Sequence, residues 1–181
     1  VVFVNSCLYL PEVNRSKSTI SYSVLARYKI VFNNRAARFD LLTIMMISLA
    51  FFGYITAIPF VYLTVFKVSE FEFSLLFGLN VLALMTAHFI NTRFVVRMGS
   101  RTMLRFGVAL ALVASSSLLI ANIFALPLPY HVLAILPLMG SLSMISVNAD
   151  ALILQEFAEH AGTATAVNGT LRFGIGSLAG P

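Results

Sequence analysis

Long apolar stretches alternate with short polar ones along this chain. Residues 41–66, 73–96, 103–126, 132–154 and 163–181 carry few charges. Each is close to the ~20 residues that an α-helix needs to cross about 30 Å of hydrocarbon. The pattern therefore predicts about five transmembrane helices in an all-α polytopic membrane protein. The apolar run at 1–10, closed by Pro11 and Glu12, is too short to span by itself and reads as the tail of a helix that starts earlier. The last run also stops in an apolar context, at Pro181, so the sequence is expected to be a fragment of a longer membrane protein. Pro59 lies within the first span and removes a backbone donor, which predicts a bend; the bend either serves gating or reflects how often proline occurs in membrane helices. Lys67, Glu70 and Glu72 are expected in a tight turn, LPLPYH at 126–131 in a second, and EFAEHAG at 156–162 in a third.

The polar stretches are unequal, and this sets an expected orientation. Arg93, Arg97, Arg101 and Arg105 recur every four residues, and Gly99 and Ser100 interrupt the run. The interval before the first span holds Arg15, Lys17, Arg27, Lys29, Arg35 and Arg38. Within it, YSVLARYKIVF suits either a short helix lying on an anionic leaflet or a solvated linker. If successive spans are antiparallel, residues 11–40, 93–105 and 155–161 share one side, and that side carries ten of the chain's 12 lysines and arginines. The opposite side has Lys67, while Arg172 falls inside a span. An excess of basic residues marks the cytoplasmic side.

Composition agrees. The chain of 181 residues is 59% hydrophobic and 10% charged, against roughly 25% charged in an ordinary soluble domain, and its mean hydropathy is +0.92. A soluble protein of this size could not hide so much apolar surface. The net charge of +5 belongs to the loops, so no nucleic-acid partner is expected. The single Cys7 makes no intrachain disulfide, and VVFVN lacks the basic start and cleavage site of a signal peptide.

Charged and polar residues inside the spans are the candidate chemistry, because burying them in lipid is costly and they usually face a bundle interior or a water path. Arg172 either lines a central cavity and binds anionic groups or pairs with a structural acid, for which Asp150 is the candidate. Asp150 itself is a cavity and proton-linked candidate, about 7.5 Å from the end of its helix at 1.5 Å per residue. Histidine is the side chain whose charge ordinarily changes near neutral pH, so His88 could shuttle protons, or it could simply reach water beside the basic loop. Asn80, Asn91, Asn122 and Asn148 read as interhelical hydrogen-bonding groups, with Asn80 and Tyr54 also candidates for the cavity. Phe51, Phe52, Tyr54, Phe60 and Tyr62 would supply an aromatic wall for lipophilic cations. Glu156, Glu159 and His160 are spaced like metal ligands, but a solvated turn explains three such residues, and no metal or cofactor is expected. The chain has no glycine-rich phosphate loop, HExxH or GxSxG, so no enzyme is expected.

Several segments resemble a known family. SYSVLARYKIVFNNRAARFDLL, FEFSLLFGLNVLALMTAHFINTRFVVRMGSRTMLRFG and QEFAEHAGTATAVNGTLRFGIGSLAG resemble the second half of major facilitator superfamily transporters, in particular the Bcr/CflA-type drug-resistance group. The loop motif of that superfamily has the form G-x-x-x-D-R-x-G-R-R. Arg97, Gly99 and Arg101 match it, whereas Thr92 stands at the first glycine and Val96 at the aspartate. The resemblance implies a partial major facilitator fold, with residues 1–10 the end of helix 6, 11–40 the central cytoplasmic loop, and 41–181 an incomplete carboxyl-terminal transmembrane half. It implies proton-coupled efflux of lipophilic small molecules across a bacterial inner membrane by alternating access, by a protein that is a monomer at full length. The alternatives are a carrier for a sugar or metabolite and a membrane scaffold or channel subunit. Arg172 departs from the family, whose members usually carry glutamine there, and Asp150 stands at a normally uncharged place. The resemblance assigns no proton-coupling carboxylate to this sequence.

Overall fold

The computed structural model describes residues 35–158 and 161–179. The run at 1–10, the segment YSVLARYKIVF, Glu159 and His160 lie outside the described residues. Among the described residues five helices follow one another: α1 (Arg35–Pro59), prolonged by a π-helical stretch (Phe60–Val65), then α2 (Glu70–Met98), α3 (Ser100–Ile123), α4 (Leu128–Glu156) and α5 (Ala161–Gly176), which ends in a 3₁₀ turn (Ser177–Ala179). Four of them, α1 with its prolongation through α4, are long and apolar enough to cross a membrane. The fifth has 16 residues, about 24 Å of helix at 1.5 Å per residue, which is shorter than the span expected there.

The helix starts depart from the expected boundaries for identifiable reasons. α1 begins at Arg35, so the last residues of the expected loop at 11–40 are already helical. Arg and Ala are good helix formers, and Ala37, Asp40, Leu41, Ile44 and Ser48 are buried at three- and four-residue spacing, one face of a helix. α2 begins at Glu70 rather than Phe73. Ser69 and Glu72 form a capping box: Glu72 N–H donates to Ser69 Oγ at 3.2 Å and Ser69 N–H donates to Glu72 Oε2 at 2.8 Å. Two helix-end donors are thereby satisfied, so Glu70 and Glu72 open a helix instead of forming a turn; Lys67, with φ 54, makes the reversal. α4 begins at Leu128 with Pro129 in its first turn, where the missing N–H costs nothing. His131, expected in the turn, is buried in that helix.

The bend expected at Pro59 takes a specific form. Proline cannot donate to the carbonyl one turn back, and the helix beyond it widens: Phe66 N–H donates to Val61 O at 3.0 Å, five residues back, and Val68 N–H to Tyr62 O at 3.1 Å. Tyr62, inside this widened stretch, is fully buried. The other end of the bundle is broken at Gly99, whose φ of +78 separates α2 from α3. A side chain is strained in that conformation.

The central helix is α4, which touches all four others. Ile145, Ala149 and Ile153 pack with Ala37, Leu41 and Ile44 of α1, Leu104 of α3, and Ala164 and Val167 of α5. Toward the other end, Ile135, Met139 and Leu142 pack with Ile58 and Tyr62. α3 lies close on α4, because Gly107 has no side chain; a Cβ there would stand 2.9 Å from Ile145 Cγ1. The outer surface differs from that of a water-soluble protein. Asp40, Ser48, Asn80, Asn91, Ser141 and Asn148 are buried, while Phe71, Met85, Val96, Leu112, Val113, Ile123 and Phe124 are exposed. Such an outer surface suits hydrocarbon, and the buried side-chain amides of Asn80, Asn91 and Asn148 link helices where water is absent.

Candidate functional site

Asp150 and Arg172 come together across α4 and α5. Arg172 Nη2 donates to Asp150 Oδ1 and Oδ2, each at 2.9 Å, and to Ser146 Oγ at 2.9 Å. Asn168 Nδ2 donates to the same Asp150 Oδ1 at 2.6 Å. The spacing explains the cluster. Ser146 and Asp150 are one turn apart on α4, Asn168 and Arg172 are one turn apart on α5, and residues at i and i+4 share a helix face. The two pairs therefore meet as polar faces. Both charged side chains retain some exposure, 29% for Arg172 and 30% for Asp150, so the pair borders open space instead of being sealed in the core.

That space is a cavity of about 350 Å³ in which four helices meet: Ser48, Phe51 and Phe52 from α1, Leu84 from α2, Leu142, Ser143 and Ser146 from α4, and Arg172 and Phe173 from α5. Its size lies within the usual range for small-molecule sites, and an apolar lining with a few convergent polar groups is their usual character. The aromatic rings form a continuous edge-to-face series. Phe51 and Phe52 are 5.9 Å apart at 77°, and Phe52 and Phe173 are 6.2 Å apart at 61°. Phe52 thereby ties α1 to α5. Asp150 lies on the far side of Arg172, in a neighbouring cavity of about 280 Å³ shared with Thr165, Asn168 and Gly169.

The other expected site residues separate into distinct places. Tyr54 and Asn80 do meet, with Asn80 Nδ2 donating to Tyr54 Oη at 2.6 Å; the bond joins α1 to α2 away from the cavity lining. Tyr62 is buried in the core, and Phe60 is exposed, so the expected aromatic wall reduces to Phe51 and Phe52, joined by Phe173. His88 is on an exposed face of α2, outside both cavities. Asn91 and Asn148 are buried and join α2 to α4, with Asn148 Nδ2 donating to Asn91 Oδ1 at 2.6 Å. Asn122 bonds back to Leu118 O of its own helix at 3.0 Å and links nothing.

The basic loop also resolves into individual roles. Arg93 lies over the Phe89 ring, 5.6 Å from its centroid, and Arg97 stands in the last turn of α2, where a cation complements the helix dipole. Arg101 faces Asp40 in a two-pronged ion pair, Nη1 to Oδ1 at 2.8 Å and Nη2 to Oδ2 at 3.2 Å. The carboxylate is nearly buried, at 7% exposed, and the guanidinium is 48% exposed. This pair fastens the start of α3 to the start of α1. Sequence reasoning passed over Asp40, Ser146 and Asn168. Asp40 had a signal, being the one acid between residues 13 and 40 of a strongly basic interval; Ser146 and Asn168 had the one-turn spacing to Asp150 and Arg172. Among the described residues no group of acidic, histidine or cysteine side chains is arranged to hold a metal ion.

Comparison with known proteins gives a consistent picture. The Major Facilitator Superfamily model matches residues 1–181. An uncharacterized MFS-type transporter of Bacillus subtilis, YdgK, is 31% identical over 172 residues, covering 95% of this chain and 42% of that protein. A bicyclomycin resistance protein homolog of Haemophilus influenzae is 30% identical over 129 residues, 71% of this chain and 32% of that protein. The chain thus spans well under half the length of either relative. No solved structure matches it significantly. With a family model that covers every residue, long apolar helices and an apolar outer surface, the chain belongs to the major facilitator superfamily of multi-pass membrane transporters.

Proposed function

We propose that the protein exports lipophilic small molecules by alternating access, driven by protons moving inward across a bacterial inner membrane. In this reading residues 1–10 end the sixth helix of the whole transporter and 11–34 belong to its central cytoplasmic loop. The helices α1 to α5 are then helices 7 to 11 of the carboxyl-terminal half. The observation that carries the reading is the cavity at the junction of α1, α2, α4 and α5, with aromatic rings and one guanidinium on its wall. An apolar wall releases poorly solvated surface from water on binding, whereas a sugar would need a polar partner for each hydroxyl it buried. The relative named for bicyclomycin resistance supports export of a drug over uptake of a nutrient. The protein moves its substrates unchanged, acts as a monomer at full length, and needs the bilayer but no cofactor or metal.

Proteoliposomes containing the full-length protein test this directly. A panel of uncharged, cationic and anionic lipophilic compounds is loaded with and without an imposed pH gradient. Gradient-dependent movement of at least one compound, abolished by a protonophore, is the expected result. Movement that persists unchanged after the gradient is collapsed would overturn the coupling, and no movement of any compound would overturn export.

A further inference from the structure

We propose that the cavity between Phe52, Phe173 and Arg172 selects aromatic anions over aromatic cations. The inference deepens the transport reading above and rests on it for the site's purpose, though not for its chemistry.

The selection follows from how Arg172 is held. Its bonds to Ser146 and to both oxygens of Asp150 all leave from Nη2. A guanidinium carries five N–H donors in a planar fork, so the Nε–H and Nη1–H groups take no part in these bonds. They lie on different edges of the guanidinium, and each remains able to donate singly to an oxygen of an anionic group in a charge-assisted hydrogen bond. Asp150 fixes the guanidinium in place without entering the aromatic cavity. Among the described residues that line that cavity, Arg172 is the one that bears a charge, while the carboxylate stands in the adjoining cavity with Asn168 and Thr165.

A ligand in the aromatic cavity therefore meets a positive charge, hydroxyls from Ser48, Ser143 and Ser146, and otherwise ring and aliphatic carbon. An anion gains a charge-assisted pair in a region of low polarity, where it is worth more than in water. A cation meets like charge with no acid among the described residues of the same wall, and it would have to draw Asp150 away from the three hydrogen bonds it accepts from Arg172 and Asn168. The rings of Phe51, Phe52 and Phe173, set at 61–77° to their neighbours, present edges and faces that suit a flat aromatic body.

The test compares three ligands of one shape, 2-naphthoate, 2-naphthamide and protonated 2-naphthylmethylamine. Their binding to the purified full-length protein is measured by titration calorimetry without any pH gradient. Naphthoate is expected to bind about tenfold or more tighter than the ammonium, the scale of one well-placed charge pair, with the amide between them. Arg172→Gln should lower naphthoate affinity by about tenfold and leave the amide within about threefold. Phe52→Ala should weaken all three ligands together. Asp150→Asn, which removes the neutralising partner yet can still accept from Arg172, should widen the preference for naphthoate and covers the case in which Arg172→Gln does not fold. Equal or tighter binding of the ammonium, or a naphthoate-to-ammonium ratio that Arg172→Gln leaves unchanged or Asp150→Asn narrows, would overturn the proposal. Cation binding accompanied by gradient-driven export would overturn this inference alone. Anion-selective binding without gradient-driven movement would leave it standing and remove the transport reading.

Discussion

Asn148 makes two hydrogen bonds from one amide, to Asn91 Oδ1 at 2.6 Å and to Met144 O at 2.8 Å. Only the first reaches another helix. Removing either asparagine leaves a buried amide without its partner, and removing both leaves an apolar contact, so the two losses should not add. A double-mutant cycle with Asn91→Ala and Asn148→Ala should give a coupling of about 0.6–1.7 kcal/mol, the range for interhelical bonds in membrane proteins; thermal unfolding of the full-length protein in detergent measures it, and a coupling of zero would show that the bond contributes nothing. The same asymmetry governs Asp40 and Arg101. The carboxylate is nearly buried and the guanidinium half exposed, so Arg101→Ala strands a charge with little access to solvent, whereas Asp40→Asn leaves an arginine that water can reach. Arg101→Ala should cost more stability than Asp40→Asn, and adding Asp40→Asn to Arg101→Ala should restore part of the loss. An additive double variant would mean the pair is only a surface contact worth a few tenths of a kcal/mol.

At the level of elements, the ends of the helices hold the most direct tests. The end of α3 is closed by Leu126 N–H donating to Ala121 O at 2.9 Å and Ala125 N–H donating to Asn122 O at 3.1 Å, a Schellman closure with Ala125 at φ 46 where glycine usually stands. An L-residue in this region is strained by roughly 1 kcal/mol, so Ala125→Gly should stabilise the protein by up to about that amount, less the backbone entropy that glycine gives the unfolded chain. No rise in unfolding temperature would count against strain at this corner. Ser69→Ala, by contrast, removes the capping-box acceptor at the start of α2 and should cost about 1 kcal/mol; an unchanged melting temperature would mean that solvent or headgroups take over the cap. These two ends bound the hairpin of α2 and α3.

Over the whole molecule, the prediction concerns sidedness. If the arginine loop is cytoplasmic, a cysteine at Ser100 should resist a membrane-impermeant maleimide added to intact cells, and cysteines at Ser69 and Tyr130 should react. These three positions lie at or beside successive helix connections, so their sides alternate and the pattern of labelling is fixed once one is known. Carried out in the full-length protein with Cys7 replaced by serine, equal labelling at all three would refute the alternating arrangement of spans. The ion pair of Asp40 and Arg101 belongs to the same side as the arginine loop. The aromatic cavity lies farther along the helices, and an element that moved α1 against α3 would act on the pair and the cavity through one rigid helix.

What the sequence determined by itself was whatever depends on the chain's local pattern. Apolar runs as long as a bilayer is thick fixed the helices, because no other backbone arrangement satisfies its polar groups in lipid. The asymmetry of ten basic residues against one fixed an expected orientation, and Arg97, Gly99 and Arg101 carried the family resemblance. Boundaries were less legible, since the capping box at Ser69 and the two prolines before His131 act through single hydrogen bonds or their absence. The tertiary structure alone decided which polar residues meet. Arg172 with Asp150, Asp40 with Arg101 and Asn91 with Asn148 are brought together by 22, 61 and 57 residues of separation, and no periodicity in a single helix encodes how its neighbour is rotated. That rotation is set by packing, by the close approach of α3 to α4 at Gly107 and by α4 touching every other helix. It is also what places the carboxylate of Asp150 behind Arg172 and leaves the guanidinium facing the aromatic cavity.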